Sequence, residues 1–206
     1  MRFLVMGDIH GRMSEFVDYS EIDAVFIAGD FTNGKDNEFV SEVLDSLPEN
    51  VFAVPGNMER KGAVDILDQR GVNVHLNPLK FKDLTVFGYG GSNPTPFGTP
   101  FEVDDDKIDE ELSQFGGADI GLFHAPPYGY FDKIDGYSVG SRAIRKWIEE
   151  HKPLFAVCAH IHEHKGVAKM GDTVLIKVGM ACKDEATVVE VDEEKQKGDI
   201  VVNFTP

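Results

Sequence analysis

Short, β-branched apolar runs alternate with helix-like stretches through the first two thirds of this chain, and a small polar motif closes most of the runs. The runs are Phe3–Met6, Ala24–Ala28, Val51–Val54 and Ile120–Phe123. Between them, apolar residues at helical spacing mark Glu38–Ser46, Ala63–Gln69 and Asp109–Gln114. A strand without polar alternation is buried on both faces, which antiparallel surface sheets rarely achieve. The alternation therefore predicts a largely parallel α/β core with short connections.

The clearest helix signal is Ser141–Glu150. Ser138 or Ser141 is placed to cap it, Ala143, Ile144, Trp147 and Ile148 form an apolar stripe, and Pro153 lies past its end. An apolar strand, Leu154–Cys158, follows. Beyond Gly166 the rhythm changes: Val167–Met170, Val174–Val178, Ala186–Val191 and Asp199–Asn203 read as strands in quick succession. Without helices between them they are expected to pair antiparallel, as a second sheet packed on the first. The whole of residues 1–206 reads as one α/β sandwich domain. The Gly- and Pro-rich segment Gly88–Pro100 is expected to be neither helix nor central strand, but a binding or surface loop.

Composition narrows the function. The net charge of −16 opposes nucleic-acid binding, because a polyanion would meet a repulsive field. The acidic runs Glu102–Asp106 and Asp192–Glu194 read as solvated loops. No stretch approaches the ~20 apolar residues of a membrane helix, and Met1–Met6 reads as a strand rather than a leader, so a cytoplasmic protein is expected. Cys158 and Cys182 belong to no CxxC pair and read as buried, reduced thiols. A homodimer is the assembly expected on frequency alone.

The chemistry lies in the polar motifs: Gly7-Asp8-Ile9-His10-Gly11, Gly29-Asp30, Gly56-Asn57, Phe123-His124 and Ala159-His160-Ile161-His162. Each follows an apolar run. Sites in open α/β sheets form beyond the carboxyl ends of strands, so one fold can bring all five to one rim. Gly7 and Gly11 are expected to let the backbone turn tightly on either side of the first motif. Together the motifs supply Asp8, His10, Asp30, Asn57, His124, His160 and His162. Carboxylate, imidazole and amide oxygen suit two divalent ions such as Mn²⁺, Fe²⁺, Ni²⁺ or Zn²⁺, with Mn²⁺ the ion expected to serve in vitro. Two such ions lie ~3.5–4 Å apart, and a bridging hydroxide between them is the nucleophile for a phosphate ester. Taken singly, Asp8 or Asp30 reads equally well as a turn residue, and His124 reads better as structural. Two imidazoles one residue apart after an apolar strand have little packing purpose, and five coincidences in this order are a poorer account than one site.

The series Gly-Asp-x-His, Gly-Asp, Gly-Asn, His and Ala-His-x-His resembles the calcineurin-like metallophosphoesterase superfamily, over Met1 to about Gly179. The segment His124-Ala125-Pro126-Pro127 is similar to the form found in its small bacterial and archaeal members. The resemblance implies a four-layer αββα sandwich of two mixed sheets flanked by helices. It further implies that Asp8, His10 and His162 hold one metal, that Asn57, His124 and His160 hold the other, and that Asp30 bridges them. Two positions depart from the family's pattern. Ala159 stands where Gly is common. Met58 stands where many members carry a histidine that assists the leaving group, and a thioether has no proton to give.

The expected activity is therefore hydrolysis of a small phosphodiester or nucleotide, with catalysis assigned to Asp8, Asp30, Asn57, His124 and His164. His164 is the residue placed to supply the proton that Met58 lacks. The alternatives are a phosphomonoesterase and a non-catalytic scaffold of the same fold; the scaffold is disfavoured because all seven ligand positions are filled. Arg12, Arg60 and Lys61 are weaker candidates for phosphate contact. Glu59 is expected to orient a neighbour. Phe97 and Phe101 are expected in the core rather than on a nucleobase, and His75 and His151 at the surface or a helix end.

Overall fold

The computed structural model describes residues 1–13, 18–34, 37–192 and 200–204. Among the described residues, thirteen strands build two large sheets and one small hairpin. The first sheet contains β1 (Arg2–Met6), β2 (Ala24–Ile27), β3 (Val51–Ala53), β12 (Thr187–Val191) and β13 (Ile200–Phe204) in the order β13-β12-β1-β2-β3. β1, β2 and β3 run parallel, whereas β12 and β13 join antiparallel. The second sheet contains β4 (Leu79–Phe81), β5 (Leu84–Tyr89), β6 (Ile120–Phe123), β9 (Phe155–Cys158), β10 (Gly166–Met170) and β11 (Thr173–Lys177). Its order is β10-β11-β9-β6-β5-β4, parallel from β5 through β6 and β9 to β11.

Strand alternation distributes the core. In β1, Phe3 and Val5 face the second sheet and pack with Phe26, Phe52, Val86, Leu122, Phe155 and Ile176. Leu4 and Met6 point the other way, onto helices α1 (Glu38–Asp45) and α2 (Lys61–Gln69). On the outer face of the second sheet, Phe87, Tyr89 and Phe123 pack beneath α3 (Asp105–Leu112) and α4 (Arg142–His151). The layers are therefore helix, sheet, sheet, helix: the four-layer αββα sandwich. Helix α4 begins where its sequence says it should, with Ser141 Oγ accepting from the Ile144 amide at 3.1 Å.

Three expectations need correction. The segment Gly88–Pro100 is not wholly a loop: Gly88 and Tyr89 complete β5 inside the second sheet, while the hairpin β7 (Lys133–Ile134) and β8 (Tyr137–Ser138) pairs only with itself. Gly88 is there for space: a Cβ would lie 1.9 Å from the Leu122 carbonyl oxygen. The late strands do not form one antiparallel sheet. β11 lies parallel to β9, and the chain then crosses to the first sheet before β12. Finally, α3 starts earlier than Asp109, absorbing Asp105 and Asp106 from the supposed acidic loop. Of the other acidic run, Glu193 and Glu194 lie outside the described residues, as does Asp199 of the last expected strand. No described helix is long and apolar enough to cross a membrane.

Candidate metal centre

The parallel strands of both sheets deliver their carboxyl ends to one edge. Asp8 and His10 follow β1, Asp30 follows β2 and Asn57 follows β3; His124 follows β6, and His160 and His162 follow β9. Backbone bonds tie these turns together: the Asp8 amide donates to Gly29, His10 to Asp30, and Ala159 to His124. The His160 amide donates to Asp8 Oδ1 at 3.2 Å, a direct link between the two sheets.

Gly11 turns as expected (φ 77°), but Gly7 does not, being needed for space against Ala159; the functional residues themselves adopt left-handed backbone. Asp8 (φ 54°), His10 (φ 47°), Asp30 (φ 54°) and His160 (φ 73°) all do so. Such conformations cost non-glycine residues about 1–3 kcal/mol each and persist where the surroundings impose them. Gly56 has a different role. A Cβ there would lie 2.0 Å from Asp30 Oδ1, so only glycine lets the third motif close on the second.

Two groups of side chains have their ligand atoms within 4.8 Å of one another: Asp8, His10 and His162, and Asp8, Asp30 and His124. In the first, the Nε2 atoms of His10 and His162 are 3.1 Å apart, and His162 Nε2 is 3.7 Å from Asp8 Oδ1. Asp30 reaches both groups, with Oδ2 3.8 Å from His10 Nε2 and Oδ1 3.5 Å from His124 Nε2. Asn57 Oδ1 approaches His124 Nε2 to 2.7 Å, and the His160 ring lies 5.0 Å from that of His124.

Proton bookkeeping shows that these residues fit a cation. His124 Nδ1 lies 2.6 Å from the Ala28 carbonyl, which only accepts, so Nδ1 carries the hydrogen. Burial and the neighbouring His160 push the His124 pKa down to about 3, so its Nε2 is a bare lone pair at neutral pH. That lone pair faces the amide oxygen of Asn57 and a carboxylate oxygen of Asp30. Three acceptors converging on one point are mutually satisfied by a metal ion. The buried Asp8 Oδ2, which has no hydrogen-bond donor among the described residues, is a further free acceptor.

The carboxylates are divided by environment. Burial, together with the charges of Glu59 and Asp8, raises Asp30 well above its ordinary value. Burial also acts to raise Asp8, but the adjacent His162 and the Lys177 charge outweigh it and hold Asp8 below the usual carboxylate range. Burial lowers His10, and brings His160 down to about 4, so these imidazoles are neutral and able to ligate.

Some residues around the centre carry no motif that marks them in the sequence. Lys177, fully buried at the end of β11, places Nζ 3.9 Å from Asp8 Oδ2 and donates to the Val178 carbonyl at 2.8 Å. Its one signal is a lone lysine inside the apolar run Val174–Val178. Thr32 donates to Glu59 beside the amides of Asp30 and Gly56, so the buried Glu59 carboxylate clamps the second motif to the third. That is the orienting role expected of Glu59. Met58 contributes its amide, which donates to Asp30 Oδ1 at 3.0 Å.

His164 Nε2 is 2.8 Å from the Lys133 carbonyl, on the β7–β8 hairpin. Arg12 bonds the Cys182 carbonyl and Asp184, the surface pairing that competes with phosphate contact. Arg60 and Lys61 are exposed at the start of α2. Phe97 is 83% exposed, against the expectation of core packing; Phe101 packs on His75. His75 is no surface residue: it is wedged between Tyr89 and Phe101, accepts from the Gly90 amide, and burial lowers it to about 4. His151 ends α4 as expected. Both cysteines are free; Cys158 is buried, whereas Cys182 is only partly so. Glu102 is no solvated acid, for it accepts from Thr95 and Thr99.

A family model described as calcineurin-like phosphoesterase matches residues 1–164. The chain belongs to this family. An uncharacterized protein of Methanocaldococcus jannaschii is 33% identical over 85% of this chain and 87% of its own. A crystal structure from Thermus thermophilus superposes with a TM-score of 0.70 at 17% identity, covering 98% of this chain and 97% of that one. A dimetal phosphatase from Danio rerio gives 0.58 at 11% identity, covering 99% and 95%. These two structures share the calcineurin-like fold. Divalent-metal binding is typical of the family, and the two ligand groups above are where this chain offers it.

Proposed function

We propose that this protein is a phosphoesterase dependent on two divalent metal ions, acting on a small phosphodiester or nucleotide. The observation that carries the reading is the convergence of His124 Nε2, Asn57 Oδ1 and Asp30 Oδ1, beside a second group of Asp8, His10 and His162. In this reading His10 and His162 hold one ion with Asp8. Asn57, His124 and His160 hold the other, and Asp30 spans both. Bound there, the ions supply Lewis acidity toward a phosphoryl oxygen and lower the pKa of a coordinated water. Neutral His10, His124 and His160 and ionised Asp8 suit such binding, and Asp30, raised by burial and its acidic neighbours, would release its proton as the ions bind. The fold shared with the Danio rerio dimetal phosphatase agrees with two ions rather than one.

The diester preference rests on Met58, which gives the third motif no acid for a leaving group. His164 is not the proton donor in this reading, because its Nε2–H is engaged with the Lys133 carbonyl. Mn²⁺ is the ion expected to support activity best in vitro. Two free cysteines suit a reducing compartment such as the cytoplasm.

The test is to strip the protein with chelator and restore Mn²⁺, Ni²⁺, Zn²⁺, Mg²⁺ or Fe²⁺ singly, assaying bis(4-nitrophenyl) phosphate and 4-nitrophenyl phosphate. Metal-dependent diester cleavage, absent from Asp8→Ala, is expected. A monoester preference would refute the diester assignment, and no turnover of either ester by metal-loaded protein would refute the enzyme.

A further inference from the structure

Asn57 does not hold its own amide in place. Its Nδ2 donates to Thr99 Oγ1 at 2.8 Å, and Thr99 Oγ1 in turn lies 2.6 Å from Glu102 Oε1. A threonine hydroxyl has one proton, and a carboxylate can only accept it. The Thr99 proton therefore goes to Glu102, and Thr99 faces Asn57 with a lone pair. Only the NH₂ end of the amide satisfies that lone pair. The oxygen end is thereby turned toward His124 and Asp30, where a ligand atom is needed.

We infer that Thr99 and Glu102 are positioning residues for the metal centre, setting the polarity of the Asn57 amide through a one-way chain of hydrogen bonds. The inference rests on the reading of Asn57 as a metal ligand. Glu102 is itself fixed: Thr95 Oγ1 and the Thr99 amide donate to the same oxygen. The Phe101 amide donates to the Asn57 carbonyl, so the loop grips this residue at backbone and side chain alike. Without the Thr99 hydroxyl, the amide has no partner that distinguishes its two ends, and it can turn its nitrogen toward His124 Nε2. That orientation forms a protein–protein hydrogen bond in competition with the metal. Residues that orient a ligand in this way are commonly worth ~10- to 100-fold in metal affinity.

The experiment is Mn²⁺ titration of chelator-stripped protein by calorimetry, with thermal melting of each metal-free variant alongside. Native protein is expected to bind two ions, and Asn57→Ala to lose one of them. Thr99→Val is expected to weaken one ion by ~10-fold or more, leave the other unchanged and melt within a few degrees of native. Thr99→Ser, which keeps the hydroxyl, is expected to restore native affinity. Should Thr99→Val fail to fold, Thr99→Ala carries the same expectation. Two ions bound by Thr99→Val at native affinity, or equal weakening by Val and Ser, would overturn the positioning role. Failure of the native protein to bind metal would instead overturn the reading of the centre itself.

Discussion

A buried ammonium beside a buried carboxylate is the least expected pairing at the residue scale. Lys177 and Asp8 are both fully buried, and Asp8 Oδ2 has no hydrogen-bond donor of its own among the described residues. In metal-free protein Lys177 is therefore a principal compensating charge for Asp8. Removing one partner of a buried ion pair strands the other, at a cost of about 3 kcal/mol. Lys177→Met is expected to destabilise metal-free protein by about that much, and metal-saturated protein by less, since the ion restores positive charge. Urea unfolding with and without Mn²⁺ checks this; equal losses in both states would show that Lys177 acts through packing alone. His164 makes the opposite case. With its Nε2–H given to the Lys133 carbonyl, His164→Ala is expected to keep diester turnover within about threefold of native. A loss near the ~10²-fold scale of general-acid catalysis would return it to the reaction.

His75 gives a pH prediction clear of the centre. Burial lowers its pKa from an ordinary 6.5 to about 4. Below 6.5 the unfolded chain gains a proton there that the folded protein refuses, so stability falls as pH drops from 6.5 toward 4 and is steady above that window. Each such histidine contributes up to about 1.4 kcal/mol per pH unit within it. His75→Gln, whose amide oxygen still accepts from Gly90, is expected to flatten the stability-against-pH slope between about pH 6 and 4.5. An unchanged slope in denaturant unfolding would contradict the buried, neutral state.

At the scale of elements, α4 shows how a local signal becomes structure. Ser141 caps it, Asp105 from α3 accepts from the Ser141 hydroxyl at 2.5 Å and from the Arg142 amide, and Lys152 ends it in left-handed backbone. Ser141→Ala removes the cap and one of the donors to Asp105, which keeps the Arg142 and Ala143 amides, and is expected to cost about 1–2 kcal/mol, read as a lower urea midpoint at unchanged slope. This helix was legible in the sequence because cap, stripe and Pro153 agree over a short stretch of chain. The strand-end motifs were legible for a related reason: a polar residue after an apolar run is set by strand direction, which is local. The end of β5 was not, because its Gly88 answers to Leu122 on the neighbouring strand rather than to its own neighbours. The pairing of β11 with β9, and the crossing to β12, likewise depend on which sheet has room. Lys177, Thr99 and Glu102 were hidden for the same reason. Their roles exist only once distant segments meet.

At the scale of the molecule, the centre sits on the seam between the sheets. Asp8, His10, Asp30 and Asn57 come from the first sheet, and His124, His160 and His162 from the second. Apolar packing joins the sheets through Phe3, Phe26, Phe52 and Phe155, while at the site edge the contacts across the seam are polar. Metal held there cross-links the two halves of the sandwich and gives its converging acceptors a common positive partner. An ion that binds only the folded state stabilises by about 2.7 kcal/mol at a hundredfold excess over its dissociation constant, which for a chain of this length is about 5–10 °C in melting temperature. Chelator-stripped protein is therefore expected to melt lower than Mn²⁺-saturated protein by at least that interval. Asp8→Ala, which removes a ligand of the ion held with His10 and His162, is expected to reduce the difference. Equal melting temperatures with and without metal would mean that the seam is closed by protein contacts alone, and that the converging acceptors find their partners elsewhere.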